Sequence, residues 1–445
     1  MSPTHCGRCV LLAFSLISLG CGSSTAVVEE EKKPTPSVVR GPEWVESTHG
    51  NNPSDTLGAF PWVSRTLVIS MPETTWVNMT GALKSVCGDK GGGSCTGALL
   101  DGSEAVSEWH KANLVADGQT WAAVGFRFRS NSQLADAWAK STNQYPFRIT
   151  MDKWEDDVPM VKNQRFYGFK KLTLTSLAED SSFVRHQIAS AVYRAQGVPA
   201  LQGAVVNLRL ARGTDTMDLG PYALREVPDG PILSRWFADG SGNEYEPSSK
   251  LGTYVKAEFS EGENDGTHSD IIAFFAALNS PERTANPAAW RSSLRKVFAL
   301  DTFVRWMAVS QALADHGSYG RETGNYGLYG LNGKVRWLAL DLDMTLSGGG
   351  SRTRGVWYPG TAGSWPLVEK VLADSMLCED YSSQLRALVT TGNASPDKLG
   401  AFIRRFVVSS NPTVDPRLAP LFEFAAQRKI AVDTSLSSHP CPRKE

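Results

Sequence analysis

The feature that most restricts how this chain can fold is a change of hydrophobic period partway along it. Up to about residue 260 the apolar residues fall in short runs or alternating segments: Leu67-Val68-Ile69, Trp121 to Phe128, Tyr145 to Met151, Lys171 to Thr175 and Ala204 to Leu210. Segments of that length and pattern pair as strands. One helix interrupts them: Asp180-Ser181-Ser182 offers an N-cap, Phe183, Ile188, Val192 and Ala195 approximate one face, and Gly197-Val198-Pro199 stops it. Further on the spacing becomes three and four. Ile271, Phe274, Phe275 and Leu278 form one such set, and Leu300, Phe303, Val304 and Met307 another. Leu367 to Met376, Tyr381 to Val389 and Leu399 to Val407 repeat the pattern, the last opened by Ser395 as cap and Pro396 in the first turn. The expectation is an α+β fold with a sheet-rich part over 61–260 and a helical part over 261–445.

The N-terminus reads as an export signal. Arg8 and His5 precede the apolar run Val10 to Leu19, about half of what a bilayer-spanning helix requires. The run ends at Gly20-Cys21 and is followed by Gly22-Ser23-Ser24, similar to a bacterial lipobox in which Cys21 is lipidated. The other reading is an ordinary cleaved signal with Cys21 incidental. Segment 1–21 is therefore expected to leave as a signal, and the protein to be exported and held at a membrane by lipid only, or secreted. Ser, Thr, Pro and charge dominate the next stretch, with Glu29-Glu30-Glu31-Lys32-Lys33 before Pro34, so 22–60 is expected to be a linker.

Once Cys6, Cys9 and Cys21 are set aside, Cys87, Cys95, Cys378 and Cys441 remain, an even number suited to an oxidising compartment. Two disulfides fit, and three connectivities are open. Cys87 and Cys95 flank a Gly-rich segment, and Cys378 could pin the tail through Cys441. Lys+Arg (45) and Asp+Glu (46) nearly cancel, and no basic run is interleaved with aromatics, which argues against a nucleic-acid partner. A hydrolase is also disfavoured, because neither a Gly-x-Ser-x-Gly elbow nor a His-Glu-x-x-His pair is present.

Chemistry concentrates at one hairpin: Tyr326 to Leu331, the turn Asn332-Gly333, then Lys334 to Leu340. Asp315 precedes it, Asn325 stands at its start, and Asp341-Leu342-Asp343 follows its second strand. Phosphoryl transfer needs a carboxylate to orient the acceptor and oxygen ligands for the metal ions that bridge the phosphates. Protein kinases present these in the chain order Asp, Asn, Asp. By spacing alone the same residues also read as a helix-end loop, a turn former and a solvated strand end.

A joint order of short motifs adds to this. Arg129-Ser130-Asn131-Ser132-Gln133, Tyr145 to Lys153, Gly168-Phe169-Lys170-Lys171-Leu172, Phe183-Val184-Arg185, Val206-Asn207-Leu208 and Gly220-Pro221-Tyr222-Ala223-Leu224-Arg225-Glu226 come first. Asp315-His316-Gly317-Ser318-Tyr319, Asn325-Tyr326-Gly327-Leu328-Tyr329 and Leu340-Asp341-Leu342-Asp343-Met344-Thr345 follow. Over roughly Leu67 to Val389 the chain resembles the CotH kinase family, spore coat protein H-like proteins akin to atypical protein kinases. The resemblance implies ATP with Mg²⁺ or Mn²⁺, and a surface or coat protein as acceptor. It implies that Asp315 serves the acceptor hydroxyl, that Asn325 and Asp341 bind metal, and that Asp343 is a second ligand or supports one. Glu226 with one of Lys153, Lys170 or Lys171 is the expected phosphate-facing ion pair. Three features depart from the family pattern: Thr150 in place of a Lys, the acidic Gly242-Asn243-Glu244-Tyr245-Glu246, and a one-residue offset at Asp315. They leave open a catalytically inactive binding or scaffold protein.

Overall fold

In the first half, the alternating segments find one another and close. In a computed structural model of the protein, seven strands form a barrel: β1 (Arg65–Met71), β2 (His110–Ala116), β3 (Gln119–Phe128), β4 (Phe147–Thr150), β5 (Lys171–Ser176), β6 (Gly203–Arg212) and β7 (Asp215–Glu226). Their order is β1-β2-β3-β4-β5-β7-β6, antiparallel throughout except for the parallel β6–β1 pair that closes the ring. Closure leaves no open edge. The structure describes residues 39–50, 56–62, 64–100, 104–177, 180–261, 266–347, 349–358, 363–405, 416–439 and Cys441.

Inside the barrel, Trp121, Phe126, Phe128, Phe147 and Tyr222 are buried, and the helix Glu73–Cys87 packs against them through Trp76, Met79 and Leu83. The second large core gathers the helices Ser269–Leu278, Leu300–Ala312, Ser375–Thr390 and Ala419–Ser438 around a four-stranded antiparallel sheet. That sheet comprises β8 (Asn243–Pro247), β9 (Phe259–Glu261), β10 (Tyr326–Leu331) and β11 (Lys334–Ala339), in the order β11-β10-β8-β9. The expected hairpin is β10–β11, and its turn residues Asn332 and Gly333 take φ of 53° and 70°, as a type I′ turn requires. Trp337 meets Phe303, Trp306, Tyr319 and Tyr326 at ring separations of 4.8, 4.6, 5.6 and 4.5 Å. Each such pair contributes roughly 0.5–1.5 kcal/mol beyond its buried area, so the hairpin is fixed firmly on the helical core.

Several expectations change. The cores do not divide at 260/261: the helix Arg185–Ala195 and the strands β8 and β9 pack with the second core. Leu367 to Met376 is not one helix. It breaks at Asp374, whose side chain caps the next helix by accepting from Leu377 N at 3.1 Å. Cys21, with the rest of the expected signal, and residues 22–38 and 51–55 of the expected linker lie outside the described residues. The remainder of that linker is partly packed structure. His49 is fully buried, stacks on Trp121 at 4.7 Å and donates through Nε2 to Thr120 O. One buried His in a polar stretch carries no periodicity, so the sequence pattern could not reveal it. Both disulfides form, Cys87–Cys95 and Cys378–Cys441, which settles the connectivity. Among the described residues no helix is long and apolar enough to cross a membrane.

Candidate active site

Two loops of the second core are tied together beneath the hairpin. Helix Leu300–Ala312 ends in a turn in which Asp315 N donates to Ser310 O, and the chain leaving β11 returns to it: Leu346 N donates to Leu313 O and His316 N to Met344 O. Gly317 permits this approach, since a Cβ there would lie 2.8 Å from Met344 Sδ. Asn325 Nδ2 donates to Gly317 O at 2.7 Å, joining the start of the hairpin to the same turn. Asp315, Asn325, Asp341 and Asp343 are thus set on mutually bonded backbone. Asp315 is buried, with its carboxylate accepting from Gly317 N at 3.1 Å and from Tyr193 OH at 3.4 Å.

The opposite wall comes from the barrel. In register, Arg148 on β4 stands opposite Thr173 on β5, and Thr173 opposite Arg225 on β7. Residues opposite one another across a sheet share a face, so these three form a row looking away from the core residues Ile149, Leu172 and Leu224. The row borders a cleft of about 250 Å³ that Arg129, Glu226, Glu246, Asn325, Tyr326 and Asp341 also line. Arg225 reaches across it. Its NH1 donates to Asp341 Oδ1 at 3.2 Å and its NH2 to Asp343 Oδ1. Neither Arg129 nor Arg148 has an ion-pair partner among the described residues, and Arg148 Nε is buried without a hydrogen bond.

Charge is strongly coupled here. Burial works to raise the Asp341 carboxyl, but Arg225 and its neighbouring cations outweigh it and hold it below the usual range. Burial raises Asp343 to about 6, with the charge of Asp341 adding and Arg225 opposing. Burial also pushes Asp315 to about 6, against the Gly317 N–H bond. His186 is pressed down to about 3 by burial and by Arg225, so its ring is neutral. A ring nitrogen of His186 and carboxylate oxygens of Asp341 and Asp343 lie within 4.8 Å of one another. The two carboxylates fit a divalent cation such as Mg²⁺ or Mn²⁺; His186 Nδ1 accepts from Leu342 N at 3.3 Å, which leaves the neutral ring's proton on Nε2, so the imidazole joins them only by giving up that bond. Arg225 is the competing cation.

The expected lysine pair does not form. Glu226 is buried and bonds Arg235 NH2 through both oxygens at 2.8 Å, while accepting Gln202 N at 2.6 Å. Lys170 pairs with Asp152 at 3.4 Å, Lys153 is exposed with its stem over Gly125, and Lys171 lies on β5 opposite Thr150. None of the three lines the cleft. Asp341 and Asn325 do line it; Asp315 is buried outside the lining and feels the charge of Asp341. Sequence reasoning missed Arg129, Arg148, Arg225 and His186. The three arginines lie within the motifs quoted above and His186 directly follows one, whereas the resemblance points to lysines for the phosphate-facing cation.

The class the fold and cleft define is an α+β protein whose cleft sets an acid pair with a histidine on one wall against a row of arginines on the other. The sequence matches the family described as "CotH kinase protein" over residues 126–411, and the chain belongs to that family. No curated protein matches it. Among solved structures it is similar to HipA of the Shewanella oneidensis MR-1 toxin–antitoxin system, solved with HipB and operator DNA. The identity is 11%, the TM-score 0.31, and the match covers 60% of this chain and 58% of that one. It is also similar to the Helicobacter pylori proinflammatory kinase CtkA at 10% identity and TM-score 0.27, over 62% of this chain and 89% of that one.

Proposed function

We propose that this protein is an exported kinase of the CotH type that transfers phosphate from ATP, with Mg²⁺ or Mn²⁺, to Ser or Thr of surface or coat proteins. The observation that supports it best is the meeting of the Asp341–Asp343 pair with the arginine row across one cleft. Phosphoryl transfer requires little beyond positioning and charge neutralisation, and these walls offer both. Arg129 and Arg148 bind phosphate oxygens. Asp341 and Asp343, with His186, hold the metal, which when bound draws charge from those oxygens. Asp315 accepts the proton of the attacking hydroxyl, a task for which a carboxyl near 6 is better matched than one near 4.

One observation favours a second reading, an inactive binding or scaffold protein: Arg225 already satisfies both carboxylates. Titrating the purified protein with ATP, with and without Mn²⁺, and following phosphate transfer separates the two. Metal-dependent transfer supports the kinase; no ATP binding at any divalent-metal concentration removes it. Export and tethering through Cys21 are part of the same proposal. Cys21→Ser should move the protein from the membrane fraction to the soluble one, and wild type already soluble outside the cytoplasm would contradict tethering.

A further inference from the structure

We propose that Arg225 is a resident counter-ion that keeps divalent metal out of the Asp341–Asp343–His186 set until an anion enters the cleft. The inference rests on the reading that this set is the metal site. Arg225 is 5% exposed, against 36% for Asp341 and 24% for Asp343, and its two terminal nitrogens are divided between the two carboxylates. A planar fork of that kind matches a carboxylate pair better than an ammonium does, and it cannot lose its charge. A divalent cation entering the same pair would face a fixed positive charge in direct contact with its ligands. Arg129 and Arg148 line the same cleft, so the other cations facing Arg225 oppose metal entry as well. The cleft also supplies the way out. Arg225 borders it, and phosphate oxygens placed there would give the guanidinium new acceptors and free the carboxylates. Nucleotide and metal then bind with positive coupling, which by linkage is equal in both directions.

The experiment uses the full chain and Mn²⁺ alone, with free Mn²⁺ followed by electron paramagnetic resonance and thermal unfolding recorded in parallel. Arg225→Gln should bind Mn²⁺ at least about tenfold more tightly than wild type. Its midpoint of unfolding should rise with Mn²⁺ more than that of wild type, because the metal replaces the charge the variant lacks. Adding Asp341→Asn to Arg225→Gln should abolish binding. Equal affinity of wild type and Arg225→Gln would overturn the counter-ion role while leaving the metal site intact. Binding by neither would remove the metal site itself. A variant that fails to fold in Mn²⁺ as well as without it would also overturn the idea, since the carboxylates would then not accept a divalent cation in place of the guanidinium.

Discussion

The two walls of the cleft are built by different means and carry different charge. The barrel wall is a flat row across three strands, Arg148–Thr173–Arg225, with Arg129 just beyond the end of β3. The hairpin wall is a set of loop residues, Asp315, Asn325, Asp341 and Asp343, anchored by backbone bonds and by the aromatic packing of Trp337. Strand pairing fixes where the arginines stand, with Arg225 almost fully buried, whereas the loops bury carboxylates to different depths and so move their pKa values. In the proposed function the barrel wall grips the anion, and the hairpin wall holds metal and proton.

The sharpest break in this comparison is Asp341→Asn, a nearly isosteric change at the end of β11. It should lower metal-dependent phosphate transfer by about a hundredfold or more with an unchanged circular dichroism spectrum, because a neutral amide supplies no charge to a metal. A variant as active as wild type would take the hairpin wall out of the chemistry.

Proton handling comes next. With Asp315 near 6, its basic form is scarce at pH 5 and dominant at pH 7, so kcat should rise about tenfold between pH 5 and a plateau above about 7. Asp343, raised by burial to about 6 as well, titrates over the same interval. A flat profile over that interval would deny Asp315 its role. Asp315→Asn should still bind nucleotide but fail to transfer phosphate.

On the barrel wall, Arg129→Gln or Arg148→Gln should raise the KM for ATP by about tenfold with a smaller effect on kcat, as expected for groups that hold phosphate in ground and transition states alike. A loss confined to kcat would move these arginines from binding to catalysis.

Asp229 tests stability away from the acid pair. Burial chiefly, with the charge of Glu226 adding, raises its carboxyl from 3.8 to about 7, so between those values the folded state keeps a proton that the unfolded chain has lost. Its contribution is complete below about pH 4 and is lost as pH rises through 7. Asp229→Asn should therefore flatten the fall in stability between pH 5 and 8 by a few kcal/mol at most, read from urea denaturation. The smallest effect belongs to the lysines: Lys153→Met and Lys171→Met should leave the KM for ATP within about twofold of wild type, since neither borders the cleft.

Much of this molecule was legible in the chain. The runs at Leu67, Trp121, Lys171 and Ala204 became β1, β3, β5 and β6, and Asn332-Gly333 gave the hairpin its turn and register. β2 was not foreseen, and neither were the helices Glu73–Cys87 and Ala419–Ser438. The Asp341-Leu342-Asp343 loop was found because a strand end leaves side chains free, and the two disulfides were anticipated from cysteine number alone.

Local pattern by itself fixed most of the strands and helices and pointed to the candidate acids, because period, turn chemistry and strand ends are properties of neighbours in sequence. Tertiary structure alone decided which cation meets which carboxylate. Arg225 finds Asp341 and Asp343, more than a hundred residues away, and Glu226 finds Arg235 instead of a lysine. Barrel closure and the seating of the hairpin on the helical core set those pairs, and neither leaves a signal in the spacing of residues along the chain.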